Sequence, residues 1–179
     1  KGTTRKLDPV SRQISSVPIT ASVVSDENMP DAYAWNDGLW MIKRKKEAGK
    51  KKPVTVYEVS LTDWLKEKSA DELVDFVKQE GYTHVCFLPV AEYLNEEMNG
   101  YSTLGYFTVT HRIGGSDAFK KLVDDCHNAG IGVIIDWNGA YFGTEVKGLY
   151  DFDGADAYGY LKPSLEKHPE WDVVTFDYK

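Results

Sequence analysis

Four histidines and two cysteines are all the imidazoles and thiols of this 179-residue chain. His84, His111, His127 and His168 stand apart, and Cys86 and Cys126 form no CxxC, so the ligand spacing of a zinc or iron–sulfur site is missing. No GxGxxG or P-loop follows an apolar segment, and Gly114-Gly115-Ser116 reads only as a helix-starting turn. No apolar run reaches the roughly 20 residues of a membrane-spanning helix. Basic residues are in deficit, 21 against 28 acidic for a net charge of −7, which argues against general nucleic-acid binding. The first residues, Lys1-Gly2-Thr3-Thr4-Arg5-Lys6, carry neither an initiator Met nor the apolar stretch of a secretory signal. The favoured reading of the cysteines is two reduced, buried thiols in a cytoplasmic protein. Neither a metal nor a membrane partner is expected.

What is present suits a globular fold: 42% hydrophobic and 27% charged residues. The length suits one domain with a sizeable core but falls short of the about 250 residues of a closed (β/α)8 barrel. Residues 1–53 are rich in Ser, Thr, Pro, Asp and Lys, lack a sustained period, and read as an irregular linker with a short strand around Val17–Val24. Trp35 and Trp40 suit either sugar stacking or the base of a core, and packing is favoured. The run Lys43–Lys52 holds seven basic residues and one acidic. It reads as a solvated linker, with Gly49 and Pro53 as breakers, ahead of a nucleic-acid patch.

From Val54 the pattern is regular. Val54–Leu61 reads as a strand. Ser69 and Glu72 form a capping box, Leu73, Phe76 and Val77 follow at helical spacing, and Gly81 supplies the stop. Thr83–Val90 is a continuous apolar strand. A second helix starts near Ser116, with Phe119, Leu122, Val123 and Cys126 on one face and Gly130 as its stop. Ile131–Trp137 is another apolar strand. Strand–helix–strand–helix–strand predicts an α/β fold with a parallel sheet covered on both faces. After Trp137 the pattern breaks into loop, with a weak helical signal over Ala155–Leu161.

Ligand sites of parallel α/β folds lie at the C-terminal ends of the strands. Asp63, Glu92 and Asp136 fall there. Glu92 and Asp136 suit a glycosidase-type carboxylate pair, or acids that cap helices and anchor loops. The connection from Ala91 to Gly115 is far longer than an ordinary βα loop. Its aromatic, polar and Gly-rich stretch Asn99–Thr110 suits a carbohydrate, whose C–H faces stack on rings.

Several short motifs run in the order found in glycogen branching enzymes. They include Tyr57-Glu58-Val59-Ser60-Leu61, Gly81-Tyr82-Thr83-His84-Val85, Leu88-Pro89-Val90-Ala91-Glu92, Gly105-Tyr106-Phe107, Cys126-His127-Asn128-Ala129-Gly130 through Asp136-Trp137, and His168-Pro169-Glu170-Trp171. Residues 54–179 thus resemble the N-terminal part of this branch of the α-amylase superfamily. The resemblance implies a partial (β/α)8 barrel, about the first three βα units, with residues 1–53 as the linker from a preceding β-sandwich. It further implies retaining transfer of an α-1,4-glucan chain to a 6-hydroxyl in the parent, without a cofactor. The family's three catalytic carboxylates come from strands four, five and seven and have no counterpart here, so no catalytic residue is assigned and the chain alone is expected to be inert. Glu92 is then expected to anchor the long loop. Three residues are carried over as substrate-binding: Tyr101, which matches a ring packed on the sugar, Asp136, which matches the acid ending the third strand, and Tyr141, which stands where the family has a sugar-binding His. Ser102 and Asn99 also depart from the common Gln and Trp. These departures support a second reading, a non-catalytic glucan-binding or interaction protein on a degenerate barrel. A three-stranded parallel sheet leaves an open edge, predicting self-association or a cover formed by residues 1–53 and 138–179.

Overall fold

The computed structural model describes residues 5–15, 21–24, 33–145, 147–155, 157–160, 168 and 170–178. In chain order the elements are α1 (Gly38–Glu47), β1 (Val56–Val59), α2 (Leu61–Trp64), α3 (Ala70–Gln79), β2 (His84–Phe87), β3 (Ala91–Tyr93), β4 (Thr103–Val109), α4 (Gly115–Asn128), β5 (Gly132–Ile135), β6 (Tyr141–Gly143) and β7 (Val173–Thr175). They fall into two units. One comprises Glu27–Leu88 and Arg112–Asp136, and the other Lys1–Asp26, Pro89–His111 and Trp137–Lys179.

The first unit holds the three-stranded parallel sheet β1-β2-β5, with Val56 opposite His84 and His84 opposite Gly132. Its helices form where the sequence places them. The Ser69 N–H donates to Glu72 Oε2 at 2.7 Å and the Glu72 N–H returns to Ser69 Oγ at 3.2 Å, closing the capping box of α3. Leu73, Val74 and Val77 of α3 are buried, and Phe76 meets Tyr57 edge-on at 5.1 Å. In α4, Phe119, Leu122 and Cys126 are buried, Phe119 against Phe87 at 5.7 Å. This is part of a barrel-like α/β fold and not a closed barrel.

The strands are shorter than their apolar runs. Thr83–Val90 is strand only as far as Phe87, where β2 ends, and the chain just beyond the run, Ala91–Tyr93, turns into a separate antiparallel pair with β4. The expected cover on both sheet faces is also incomplete. Val56, Ile134 and Ile135 are 43%, 41% and 45% exposed, because β1 and β5 each pair on one side only among the described residues. The basic run is solvated as expected, yet its first half is helical, with no residue of α1 buried. Of the two tryptophans expected to pack, Trp40 stacks on His127 at 5.0 Å with 14° between the planes, whereas Trp35 is 44% exposed and meets Tyr33 edge-on at 5.0 Å.

The second unit contains β3–β4 and the antiparallel pair β6–β7, in which Phe142 faces Val174. Leu7, Ile14 and Leu104 form one small core, and Phe142, Leu149 and Val174 another, enclosed by Tyr106, Tyr150, Phe152, Tyr158 and Phe176. The stretch after Ala91, expected as loop, therefore carries a seven-residue strand. Of the short strand expected over 17–24, residues 17–20 lie outside the described ones, and Ser22 makes a single antiparallel bridge to Ile14. The weak helix over 155–161 does not form among its described residues.

Candidate functional site

The three strand-end carboxylates have different surroundings. Asp63 sits in the first turn of α2, where its N–H donates to Ser60 Oγ at 3.3 Å. Its carboxylate takes the Lys66 ammonium at 2.7 Å, and that bond, with help from the Ser60 hydroxyl, holds its ionisation below the usual carboxylate value. Glu92 is 3% exposed. It accepts from Thr110 Oγ1 at 3.1 Å, from the His111 N–H at 3.0 Å and from the Tyr93 N–H at 3.1 Å, and it pairs with His111 Nδ1 at 3.0 Å. A carboxylate engaged in this way fixes the two ends of the β3–β4 excursion to each other. Asp136 follows β5, its N–H donating to the Phe87 carbonyl at 2.9 Å. Burial raises the neighbouring Cys86 thiol, and the charges of Glu58 and Asp136 add to that shift.

Tyr101 is held by its backbone. Gly100 precedes it at φ 88°, and a Cβ there would come within 2.8 Å of the Pro89 carbonyl, so both backbone shape and space call for glycine. The Tyr101 N–H then donates to the Met98 carbonyl at 2.8 Å. From the loop after β5, buried Asn138 donates through Nδ2 to the carbonyls of Tyr101, at 2.7 Å, and of Tyr141, at 3.0 Å. Its Oδ1 accepts from the Ala140 N–H at 3.1 Å. The Tyr141 carbonyl also takes the Tyr106 hydroxyl at 2.7 Å. One amide thereby ties Tyr101 to Tyr141, leaving both rings partly exposed.

Around this amide the unit displays aromatic surface. The Tyr141 ring lies 5.6 Å from Trp171, and Trp171 stacks on His168 at 4.0 Å and 11°. Trp137 meets Tyr106 edge-on at 5.8 Å while remaining 56% exposed. Exposed rings beside backbone carbonyls and hydroxyls suit the alternating C–H and O–H faces of a sugar. Two of the three residues expected to bind substrate, Tyr101 and Tyr141, are thus joined here. Asp136 belongs to the sheet unit. Ser102, noted as a departure, is 2% exposed and donates to Glu145 Oε1 at 2.9 Å. Asn138, Trp137 and Trp171 were not singled out as site residues from the sequence. The signal for the first two was their place directly after a strand-ending Asp. Among the described residues no group of His, Cys, Asp and Glu is arranged to hold a metal ion.

Residues 70–153 match the protein-family model of the α-amylase catalytic domain. Over 97% of its length the chain is 38% identical to the 1,4-alpha-glucan branching enzyme GlgB of Methylococcus capsulatus, covering 24% of that protein. Over 96% it is 37% identical to the GlgB of Lactiplantibacillus plantarum, covering 28%. The chain spans about a quarter of the length of the curated relatives it matches. Its fold is similar to that of a Salmonella typhimurium protein described as an α-amylase, with a TM-score of 0.69 over 95% of this chain and 27% of that one at 24% identity. A segment of the α-amylase catalytic domain is thus matched, and branching enzymes align along nearly the whole of this chain.

Proposed function

We propose that this chain supplies part of the α-1,4-glucan-binding surface of a branching-enzyme-like protein, with Tyr101, Tyr141 and Asp136 as substrate contacts. The observation that carries this reading is the Asn138 amide tying Tyr101 to Tyr141 within a field of exposed rings. The parent reaction is retaining transfer of an α-1,4-linked chain to a 6-hydroxyl in glycogen synthesis, acting on α-1,4-glucan without a cofactor. The chain by itself is inert. Retaining glycosyl transfer needs two carboxylates about 5 Å apart across the scissile bond, whereas Asp63 is paired with Lys66 and Glu92 is engaged by Thr110 and His111. Its two free thiols support a cytoplasmic location.

The test is affinity electrophoresis of the purified chain in glycogen, together with an amylose-branching assay. Retardation by glycogen that falls about fivefold or more for Trp171→Ala and Tyr141→Ala is expected, with no new branches formed. Branch formation by this chain, or retardation indifferent to both substitutions, would refute the reading. Tyr141 in place of the family His favours a second reading, a non-catalytic glucan-binding protein. On that reading the chain binds glucan without turning it over.

A further inference from the structure

The chain is acidic overall, yet its densest basic segment gathers around one opening. Lys43, Arg44, Lys50 and Lys52 line an open cleft of about 680 Å³ in the sheet unit, with Glu47 the one carboxylate on its wall. Glu47 is taken by Lys52 at 2.7 Å, and that hydrogen bond holds its ionisation below the usual value, with the charges of Lys43 and Lys50 assisting. Among the described residues Lys43, Arg44 and Lys50 have no carboxylate of their own. Four cations therefore face one anion inside a protein of net charge −7.

The cleft is also aromatic. Trp40 and His127 line the same cleft as a stacked pair. His127 Nδ1 lies 2.7 Å from the carboxylate of buried Asp37. That contact holds the ring in one orientation. The floor is shaped by Gly132. A Cβ there would come within 2.3 Å of the His84 ring, so only glycine lets that imidazole lie across β5.

We propose that this cleft binds a phosphomonoester carrying a ring, the phosphate among Lys43, Arg44 and Lys50 and the ring against Trp40. Its volume lies in the range of small-molecule sites, roughly 300–1,000 Å³. Flexible ammonium groups and one guanidinium suit a doubly charged phosphate, which accepts several charge-assisted hydrogen bonds. A neutral sugar leaves the excess of positive charge uncompensated. A polyanion would meet the acidic remainder of the chain, 27 acidic residues against 14 basic outside this segment.

The experiment is calorimetric titration of the whole chain with AMP, glucose 6-phosphate, inorganic phosphate, adenosine and glucose, at low and at physiological salt. At least one of the two phosphomonoesters binds with one-to-one stoichiometry and more tightly than inorganic phosphate, adenosine and glucose do not bind, and affinity falls with salt. Tighter AMP identifies a base on Trp40, and tighter glucose 6-phosphate identifies a pyranose. The double variant Lys43→Gln/Arg44→Gln weakens binding about tenfold or more. Both residues are exposed on α1, so its urea unfolding curve stays that of the parent. No saturation by about 10 mM phosphomonoester, binding indifferent to the double variant, or tighter binding of duplex DNA than of AMP overturns the proposal. Glycogen retardation is read separately, so neither result depends on the other.

Discussion

Tyr106 donates its hydroxyl to the Tyr141 carbonyl, and burial pushes its ionisation well above the usual phenol value. Burial does the same to Cys126, whose thiol is pushed up to about 12. Both groups are neutral in the folded and unfolded chain below about pH 8, so their contribution to stability is intact there. As pH rises past the unfolded values, the unfolded chain loses protons that the folded chain keeps, and stability falls with pH. The urea midpoint should therefore decline steadily from about pH 9 upward. Tyr106→Phe removes a hydrogen bond and leaves a carbonyl with one partner fewer, at a cost of about 1 kcal/mol at neutral pH. It also removes one of the raised ionisations, so its alkaline decline should be shallower. Parallel stability-versus-pH curves for the parent and this variant would contradict the assignment.

At the scale of elements, α3 shows local and tertiary effects working together. Ten residues are too few to hold a helix alone in water, so α3 depends on burying Leu73, Val74 and Val77 and on its cap. Ser69→Ala removes the half of the capping box that the hydroxyl makes, the bond from the Glu72 N–H, and should cost about 1 kcal/mol in urea unfolding. Asp71→Asn in the same turn should cost less than half of that, since Asp71 is exposed and makes only a 3.9 Å contact with Lys121. Equal losses would place the effect in first-turn charge and not in the cap. Helix α4 carries a feature its periodicity conceals. Asp124 is buried and accepts from the Tyr33 hydroxyl at 3.2 Å and the Asn36 N–H at 3.0 Å.

At the scale of the molecule, the outer strands of the parallel sheet are its open edges among the described residues. Val56, Ile134 and Ile135 are exposed apolar side chains on strands whose second edge is unpaired among the described residues. Such edges template further strands. We propose a second copy of the chain as the occupant. Sedimentation velocity should show a weight-average mass rising with concentration, and Ile134→Lys should suppress the rise. A single monomer boundary at every concentration would remove this expectation.

The sequence by itself determined the parallel α/β class, the capping box, the helix faces of α3 and α4, and the loop-anchoring part of Glu92. Each rests on neighbours a few residues apart or on a motif order shared with branching enzymes, and short-range signals of that kind survive in a linear reading. Only the tertiary structure decided that the apolar run Thr83–Val90 leaves its sheet at Phe87 and is followed from Ala91 by a strand of another sheet, because hydrophobicity alone does not say which strand a segment will pair with. Only there did Asn138 emerge as the tie between Tyr101 and Tyr141, 37 and 3 residues away along the chain. The same holds for the basic cleft. In the sequence Lys43–Lys52 is a solvated run, and only folding sets Trp40, His84 and His127 beside it and turns repelling charges into a place for an anion.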